Sequence, residues 1–138
     1  MNAASKQAQP TPALSILLAD DEVDTVQTLA AILADEGHNV YAVRDGALVL
    51  DAVRRLKPNV CILDIEMPRT DGYAIAREIV KEFEDKKQPR PLLIAISGRW
   101  KSQTDKMLAR MVGFDHFLVK PADPQAIIQV LHEKPRFI

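Results

Sequence analysis

The sequence predicts an α/β domain built around a mostly parallel sheet with helices on both of its faces. Five short apolar runs alternate strictly with five segments in which apolar residues recur at helical spacing. Parallel strands need long crossover connections, and right-handed helical crossovers supply them. With 138 residues, of which 47% are hydrophobic, the chain has the length of one ordinary domain and enough apolar residues for a core.

The apolar runs have the length of strands. They lie at residues 14–19, 40–43, 60–63, 92–96 and 114–119. Short runs without polar alternation are typical of strands that are buried on both faces of a parallel sheet. We therefore expect all five strands to be covered by helices.

The segments between the runs have apolar residues three and four positions apart, as on the buried face of a helix. Val26, Leu29 and Leu33 form the first such set. Capping and terminating residues then predict where the helices begin and end. These are Gly37 after the first helix, Pro58 after the second, Asp71 before the third, Ser102 with Asp105 before the fourth, Gly113 after it, and Asp123 with Pro124 before the last.

Composition and charge exclude several classes of protein. The 18 basic and 19 acidic residues give a net charge of -1, so the basic surface that non-specific nucleic-acid binding needs is not expected. No apolar run approaches the roughly 18 residues of a membrane span, and no hydrophobic segment follows Lys6 to form a signal peptide. The single cysteine, Cys61, allows no internal disulfide and is expected to be a small core residue. We expect a cytoplasmic location.

The predicted domain covers residues 14–133. Residues 1–13 are small, polar and proline-bearing, which predicts a flexible N-terminal tail, and residues 134–138 are predicted to form a short C-terminal tail. The three histidines, His38, His116 and His132, share no spacing that indicates a metal site, and we expect them at the surface or in turns.

Polar residues follow four of the five predicted strands. They are Asp20, Asp21 and Glu22 after the first, Asp64 with Glu66 after the third, Ser97 after the fourth and Lys120 after the fifth. Ligands of open α/β sheets bind outside the carboxyl ends of the strands, where these residues are expected to meet. The sequence therefore predicts one compact polar site.

The chemistry of this set favours phosphoryl transfer. Asp20, Asp21 and Asp64 repel one another when crowded, and a hard cation such as Mg²⁺ relieves that repulsion. A carboxylate can also accept a phosphoryl group and form an aspartyl-phosphate. The charge of the transferred group then needs neutralising, to which Lys120 would contribute an ammonium group and Ser97 a hydrogen bond.

The motifs at the strand ends resemble those of the response-regulator receiver domain of two-component signalling. They are ADDE at 19–22, LDIEMPRTDG at 63–72, AISG at 95–98 and FLVKP at 117–121, and the resemblance covers residues 14 to about 133. The segment GFDHFLVKP is also similar to receivers that are attached to hybrid histidine kinases. The resemblance implies a flavodoxin-like, doubly wound (βα)5 fold with a five-stranded parallel sheet in the order 2-1-3-4-5.

The resemblance also implies roles for the acidic residues. Asp64 would be the phosphoacceptor and a ligand of Mg²⁺. Asp21 would bind the ion directly, and Asp20 would do so directly or through water. The main-chain carbonyl of Glu66 would be a further ligand.

The remaining motif residues would act on the phosphoryl group and respond to it. Ser97 would bond the group and move towards it, Lys120 would contact one of its oxygens, and Phe117 would be an aromatic switch. The Lys120–Pro121 peptide is expected to be cis. Ser97 stands where the family also uses Thr, and Phe117 where Tyr is frequent, so the hydroxyl at 97 survives and a switch at 117 would work by packing alone.

A histidine kinase or a histidine phosphotransfer domain would phosphorylate Asp64 in the presence of Mg²⁺. The signal would then reach a partner protein, or a second copy of the chain, through the face formed by helix 4, strand 5 and helix 5. Such a chain is expected to be a signalling phosphoacceptor and not an enzyme. Its own chemistry would be limited to phosphorylating itself from small donors and dephosphorylating itself. We also expect Glu66 and Arg99 to flank the pocket and to limit access of water to it.

Two alternatives stay open. One is a docking module that works without phosphorylation, against which the complete set of site residues argues. The other is a small Mg²⁺-dependent phosphohydrolase with Asp64 as nucleophile. Phosphatases of that kind usually place the nucleophile after the first strand and carry a substrate cap, for which this chain has no spare length.

Overall fold

A computed structural model describes residues 12–98 and 103–133 of the chain. Within these ranges, strands and α-helices alternate as the sequence predicts. The strands are β1 (Ser15–Ala19), β2 (Asn39–Val43), β3 (Val60–Asp64), β4 (Leu92–Ser97) and β5 (His116–Val119), and the helices are α1 (Val23–Asp35), α2 (Val49–Leu56), α3 (Gly72–Asp85), α4 (Gln103–Val112) and α5 (Pro124–Glu133). A short 3₁₀ turn, Gly46–Leu48, precedes α2.

The five strands form one parallel sheet in the order β2-β1-β3-β4-β5, which confirms the flavodoxin-like topology. In the register of the sheet, Ala19 lies opposite Leu63 and Asp64 lies opposite Ile96. The ends of β1, β3 and β4 therefore lie side by side at one edge of the sheet, which we call the carboxyl edge.

Successive strand residues point to opposite faces and build two separate cores. Leu17 and Ala19 pack with apolar residues of α2, α3 and α4. Ile16 and Leu18 pack on the other face with those of α1 and α5. Each fully buried Leu or Ile contributes about 2 kcal/mol relative to an exposed one, so helices on both faces stabilise the central strands.

The two outer strands are less buried than the sequence predicts. In β2, Tyr41 is 52% exposed, and β5 is only partly buried along its length. Each outer strand has a neighbour on one side only, so the expectation of burial on both faces is wrong for both. The fifth strand also begins later than predicted, because Phe114 lies in the turn before it and fills the core there.

The predicted helix boundaries are largely confirmed. Gly37 follows α1 with a φ of 97°, a left-handed conformation that favours glycine. The Asp71 side chain accepts a hydrogen bond from the Tyr73 N–H at 2.9 Å and caps α3. Ser102, the predicted cap of α4, lies outside the described residues. Among the helices described, none combines the length and the apolar character that crossing a membrane requires.

The opposite edge of the sheet, where the strands begin, we call the amino edge. Arg90 donates hydrogen bonds to both carboxylate oxygens of Asp115, at 3.1 and 3.2 Å, and Asp115 also accepts one from the Leu93 N–H at 2.9 Å. His38 is buried, and its Nδ1 accepts a hydrogen bond from the Leu14 N–H at 3.1 Å. His38 therefore lies in the turn between α1 and β2, one of the two expected places, but it is buried and not at the surface, because it joins the starts of β1 and β2.

Candidate functional site

Asp20 and Asp64 are held at the carboxyl edge in the same way. Asp20 directly follows β1, and its Oδ1 accepts a hydrogen bond from the Glu22 N–H at 2.9 Å. Asp64 ends β3, and its Oδ1 accepts one from the Glu66 N–H, also at 2.9 Å. Both side chains are buried. Each carboxylate is therefore fixed by its own turn and keeps its second oxygen for other partners.

Asp21 completes a cluster of carboxylates. Asp20, Asp21 and Asp64 each offer one oxygen, and these three oxygens lie within 4.8 Å of one another. Like charges this close repel strongly where water is largely excluded. A set of carboxylate oxygens is the donor set that Mg²⁺ and other hard cations prefer, so the cluster fits such an ion.

Lys120 connects the fifth strand to this cluster. Its main-chain N–H donates to the Ser97 carbonyl at 2.9 Å, and its side chain extends past β4 towards β3 and β1. The Nζ atom lies 3.0 Å from Asp64 Oδ2, 3.3 Å from Asp20 Oδ1 and 2.9 Å from Glu22 Oε1. One ammonium group thus faces several carboxylates, and the site keeps an excess of negative charge.

Burial and charge shift the pKa values in this pocket. Burial raises the pKa of Asp20, and the neighbouring Asp64 charge adds to the rise, against the hydrogen bonds from the Glu22 N–H and Lys120. Burial alone would lower the pKa of Lys120, but its bonds to Glu22 and Asp64 outweigh that effect and raise it. The bond to Lys120 lowers the pKa of Glu22. Lys120 therefore stays charged, while the ionised form of Asp20 is destabilised.

The second oxygen of Asp20 has no hydrogen-bond donor. Its Oδ2 lies 3.2 Å from Lys120 Nζ, close enough for charge attraction but not aligned for a hydrogen bond. Among residues 12–98 and 103–133, Asp20 Oδ2 is the only buried side-chain nitrogen or oxygen atom that has no hydrogen-bond partner. Leaving a buried charged oxygen unpaired is costly, and a cation beside it removes that cost.

Ser97 and Phe117 take the positions that the sequence predicts for them. Ser97 is buried at the end of β4 and lies opposite Val119 in the register. Phe117 lies opposite Ala95 in the same pair of strands and packs against the core beneath α2, α3 and α4. The guanidinium carbon of Arg110 lies 5.1 Å from the centre of the Phe117 ring, a contact that the sequence does not predict.

The structure gathers the predicted site residues and adds one more. The proximity of Asp20, Asp21, Asp64 and Lys120 is confirmed, and so is the cis peptide bond between Lys120 and Pro121. The sequence predicts that Glu22 lies at this edge but assigns it no role, because nothing in the sequence indicates that its side chain turns back to Lys120. Arg99, the predicted partner of Glu66, lies outside the described residues.

Two further surfaces lie outside the cluster, and one of them adjoins it. A groove of about 470 Å³ lies beside Lys120, between α1 and the segment that leads into α5, with Leu29, Pro121 and Pro124 among the residues that line it. On α4, Met107 and Met111 are exposed, Met111 to 77%, and Val119 of β5 is exposed as well. We call the first surface the α1 groove and the second the α4–β5 patch.

The fold and the site together define a class of protein: a five-stranded parallel α/β domain with an acidic cluster and a lysine at its carboxyl edge. The family model described as the response regulator receiver domain matches residues 16–132 of the sequence. The chain therefore belongs to the response-regulator receiver domain family, a class of signalling modules.

Two curated relatives have similar sequence identities to this chain. Aerobic respiration control protein ArcA of Escherichia coli is 31% identical over 112 residues, which are 81% of this chain and 44% of ArcA. The probable transcriptional regulator ycf27 of Porphyridium aerugineum is 32% identical over 112 residues, with the same coverage of 81% and 44%. The chain thus spans less than half the length of these relatives.

Solved structures have the same fold. The chemotaxis response regulator CheY4 of Vibrio cholerae is 24% identical, with a TM-score of 0.76, and the match covers 88% of this chain and 98% of that one. The co-crystal structure of the Saccharomyces cerevisiae phosphotransfer protein Ypd1 with the receiver domain of Ssk1 gives a TM-score of 0.81 at 19% identity, covering 88% of each chain.

Proposed function

We propose that this chain is the phosphoacceptor of a two-component phosphorelay and that Asp64 receives the phosphoryl group. The observation that carries the proposal is the convergence on Asp64 of side chains from two other strands. Lys120 Nζ lies 3.0 Å from its Oδ2, and an oxygen of Asp20 lies within 4.8 Å of one of its oxygens. A carboxylate held between a cation and an acidic pocket has the surroundings that phosphoryl transfer needs.

Mg²⁺ fits beside the acceptor. Asp20, Asp21 and Asp64, together with the main-chain carbonyl of Glu66, would hold the ion. The unpaired buried Oδ2 of Asp20 and the three converging carboxylates support this assignment. When bound, the ion supplies positive charge to the oxygens of the transferred group.

The chemical step is an in-line displacement at phosphorus. An oxygen of the Asp64 carboxylate forms a bond to phosphorus while the bond from phosphorus to the donor's imidazole nitrogen breaks. The electron pair of that bond returns to the imidazole, and the product on the receiver is an acyl phosphate. The Lys120 ammonium group, kept charged by its raised pKa, neutralises a phosphoryl oxygen, and the buried Ser97 hydroxyl donates a hydrogen bond to another.

The donor in this proposal is a histidine kinase or a histidine phosphotransfer protein. The α1 groove supports it, because a groove of mixed apolar and polar lining that adjoins Lys120 allows a partner to dock with its histidine next to the acidic cluster. A solved structure with this fold was crystallised with the phosphotransfer protein Ypd1, which agrees with such a partner. In this proposal the chain works in the cytoplasm, and it neither contacts nucleic acid directly nor attaches to a membrane.

The output surface in this proposal is the face formed by α4, β5 and α5. Phosphorylation draws Ser97 towards the new group, and Phe117 repacks on the same pair of strands. Met107, Met111 and Val119 are exposed on the α4–β5 patch, where a partner protein or a second copy of the chain would bury them. The phosphoryl group thus biases a surface that lies two strands away from the acceptor.

Intact-mass measurement tests the proposal. The wild type, the Asp64→Ala variant and the control variant Asp35→Ala, which loses an exposed acid at the end of α1, are incubated with acetyl phosphate and Mg²⁺. The wild type and the control should gain the mass of one phosphoryl group, whereas Asp64→Ala should gain none. If the wild type stays unmodified, the phosphoacceptor proposal is wrong and a docking module that works without phosphorylation is favoured.

A further inference from the structure

Glu22 lies as close to Lys120 as the proposed acceptor does. Its Oε1 lies 2.9 Å from Lys120 Nζ, compared with 3.0 Å for Asp64 Oδ2 and 3.2 and 3.3 Å for the two oxygens of Asp20. The Thr25 hydroxyl donates to the same oxygen of Glu22 at 3.3 Å. The contact therefore has a side chain on α1 that supports it.

The lysine has no hydrogen-bond donor to spare. An ammonium group carries three protons, and Lys120 already has partners on three residues, Glu22, Asp64 and Asp20. A phosphoryl oxygen that is to be bound by Lys120 must displace one of these partners.

Burial decides which partner leaves. The Asp20 side chain is 0% exposed, so release from Lys120 would leave a buried carboxylate without its cation. Asp64, 3% exposed, is the residue that would carry the phosphoryl group, so it is not a separate competitor of that group. The Glu22 side chain is 60% exposed and regains water when it lets go. Glu22 is thus the exposed partner of this ion pair, and water compensates its loss of Lys120 better than it would for buried Asp20.

We propose that Glu22 is a positioning residue that occupies Lys120 in the resting state and is displaced by the incoming phosphoryl group. This inference rests on the proposed function and adds a competitor to it. Glu22 sets how readily the site accepts the group, because each binding event must first break the contact from Glu22 to Lys120. Removing the contact should therefore strengthen binding of a phosphoryl group or its mimic.

Titration with beryllofluoride at saturating Mg²⁺, followed by NMR, tests the inference. Glu22→Gln removes the charge, and Glu22→Asp keeps the charge on a side chain one methylene shorter, which withdraws it from Lys120. Asp24→Asn is the matched control, because it removes an exposed acid from the first turn of the same helix and leaves the contacts of Lys120 in place. We expect both Glu22 variants to bind beryllofluoride about threefold more tightly than the wild type, the size expected for an ion pair with one exposed partner.

The comparison separates the possible outcomes. Equal tightening in Asp24→Asn and Glu22→Gln, or no tightening in either Glu22 variant, would overturn the role of Glu22 while leaving the acceptor intact. Absence of beryllofluoride binding in the wild type would instead contradict the proposed function itself. Titration of each variant with Mg²⁺ alone should give affinities that differ less than the beryllofluoride affinities do; if the change lies in the Mg²⁺ step, the positioning role is wrong.

Discussion

The two edges of the sheet place charged groups in opposite ways. At the amino edge, Arg90 and Asp115 pair through two hydrogen bonds, and the Leu93 N–H adds another to Asp115. At the carboxyl edge, Lys120 faces Asp20 and Asp64 together, and one buried oxygen of Asp20 has no donor. Balanced charges stabilise a fold, whereas crowded like charges weaken it and favour the binding of a cation.

The same chemical change, aspartate to asparagine, should therefore act in opposite directions at the two edges. Asp115→Asn should give the largest effect and lower the free energy of unfolding by about 2 kcal/mol, because it leaves the partly buried Arg90 without its counter-charge. Chemical denaturation at neutral pH measures the change. Asp35→Asn, which removes an exposed acid at the end of α1, serves as the control and should match the wild type. A variant as stable as the wild type would mean that the amino edge is no stronger than the carboxyl edge.

Asp20→Asn should instead raise the free energy of unfolding by about 1 kcal/mol in the absence of Mg²⁺. In the wild type, burial and the charge of Asp64 destabilise the ionised form of Asp20 and raise its pKa. The neutral amide of Asn removes both costs. With a raised pKa the folded chain takes up the proton more readily than the unfolded chain, so the penalty is present above the folded pKa and fades as the pH falls. The gain from the substitution should fade in parallel.

Mg²⁺ sharpens this prediction. The wild type should gain stability on adding the ion, since a ligand that binds only the folded state stabilises it, and Asp20→Asn should gain less. Thermal unfolding with and without Mg²⁺ measures both. Destabilisation by Asp20→Asn without the ion would show that the carboxyl edge is not strained by its charges.

The comparison also explains what the sequence can predict. The alternation of apolar runs and helical segments gives the topology, because burial of β3 and β4 on both faces leaves a strong pattern. The convergence of Asp64 and Lys120 follows from the fold alone, since both lie at strand ends. The paired residues of the amino edge could not be predicted, because Arg90 and Asp115 lie in connecting segments where side-chain direction depends on the turn. The bend of Glu22 towards Lys120 is missed for the same reason.

His38 gives the smallest predicted effect and tests the amino edge by its pH dependence. Burial lowers the pKa of His38, and the nearby His132 lowers it further while Glu36 opposes both. Nδ1 accepts the Leu14 N–H and so carries no proton. As the pH falls through about 6.5, the unfolded chain takes up a proton that the folded chain resists, and stability is lost until the lower folded pKa is reached.

His38→Asn should remove this loss, because the amide oxygen can still accept the Leu14 N–H but does not titrate. The free energy of unfolding, measured by urea denaturation between pH 7.5 and 5, roughly one unit on either side of the ordinary histidine pKa, should fall less steeply in the variant than in the wild type. The exposed neighbour His132, replaced in the same way, should leave the wild-type slope largely in place. If the free energy of unfolding falls as steeply with pH in both variants as in the wild type, the acid sensitivity of the fold arises elsewhere. In that case His38 does not destabilise the amino edge at low pH, and among the described residues only the carboxyl edge has buried titrating groups that weaken the fold.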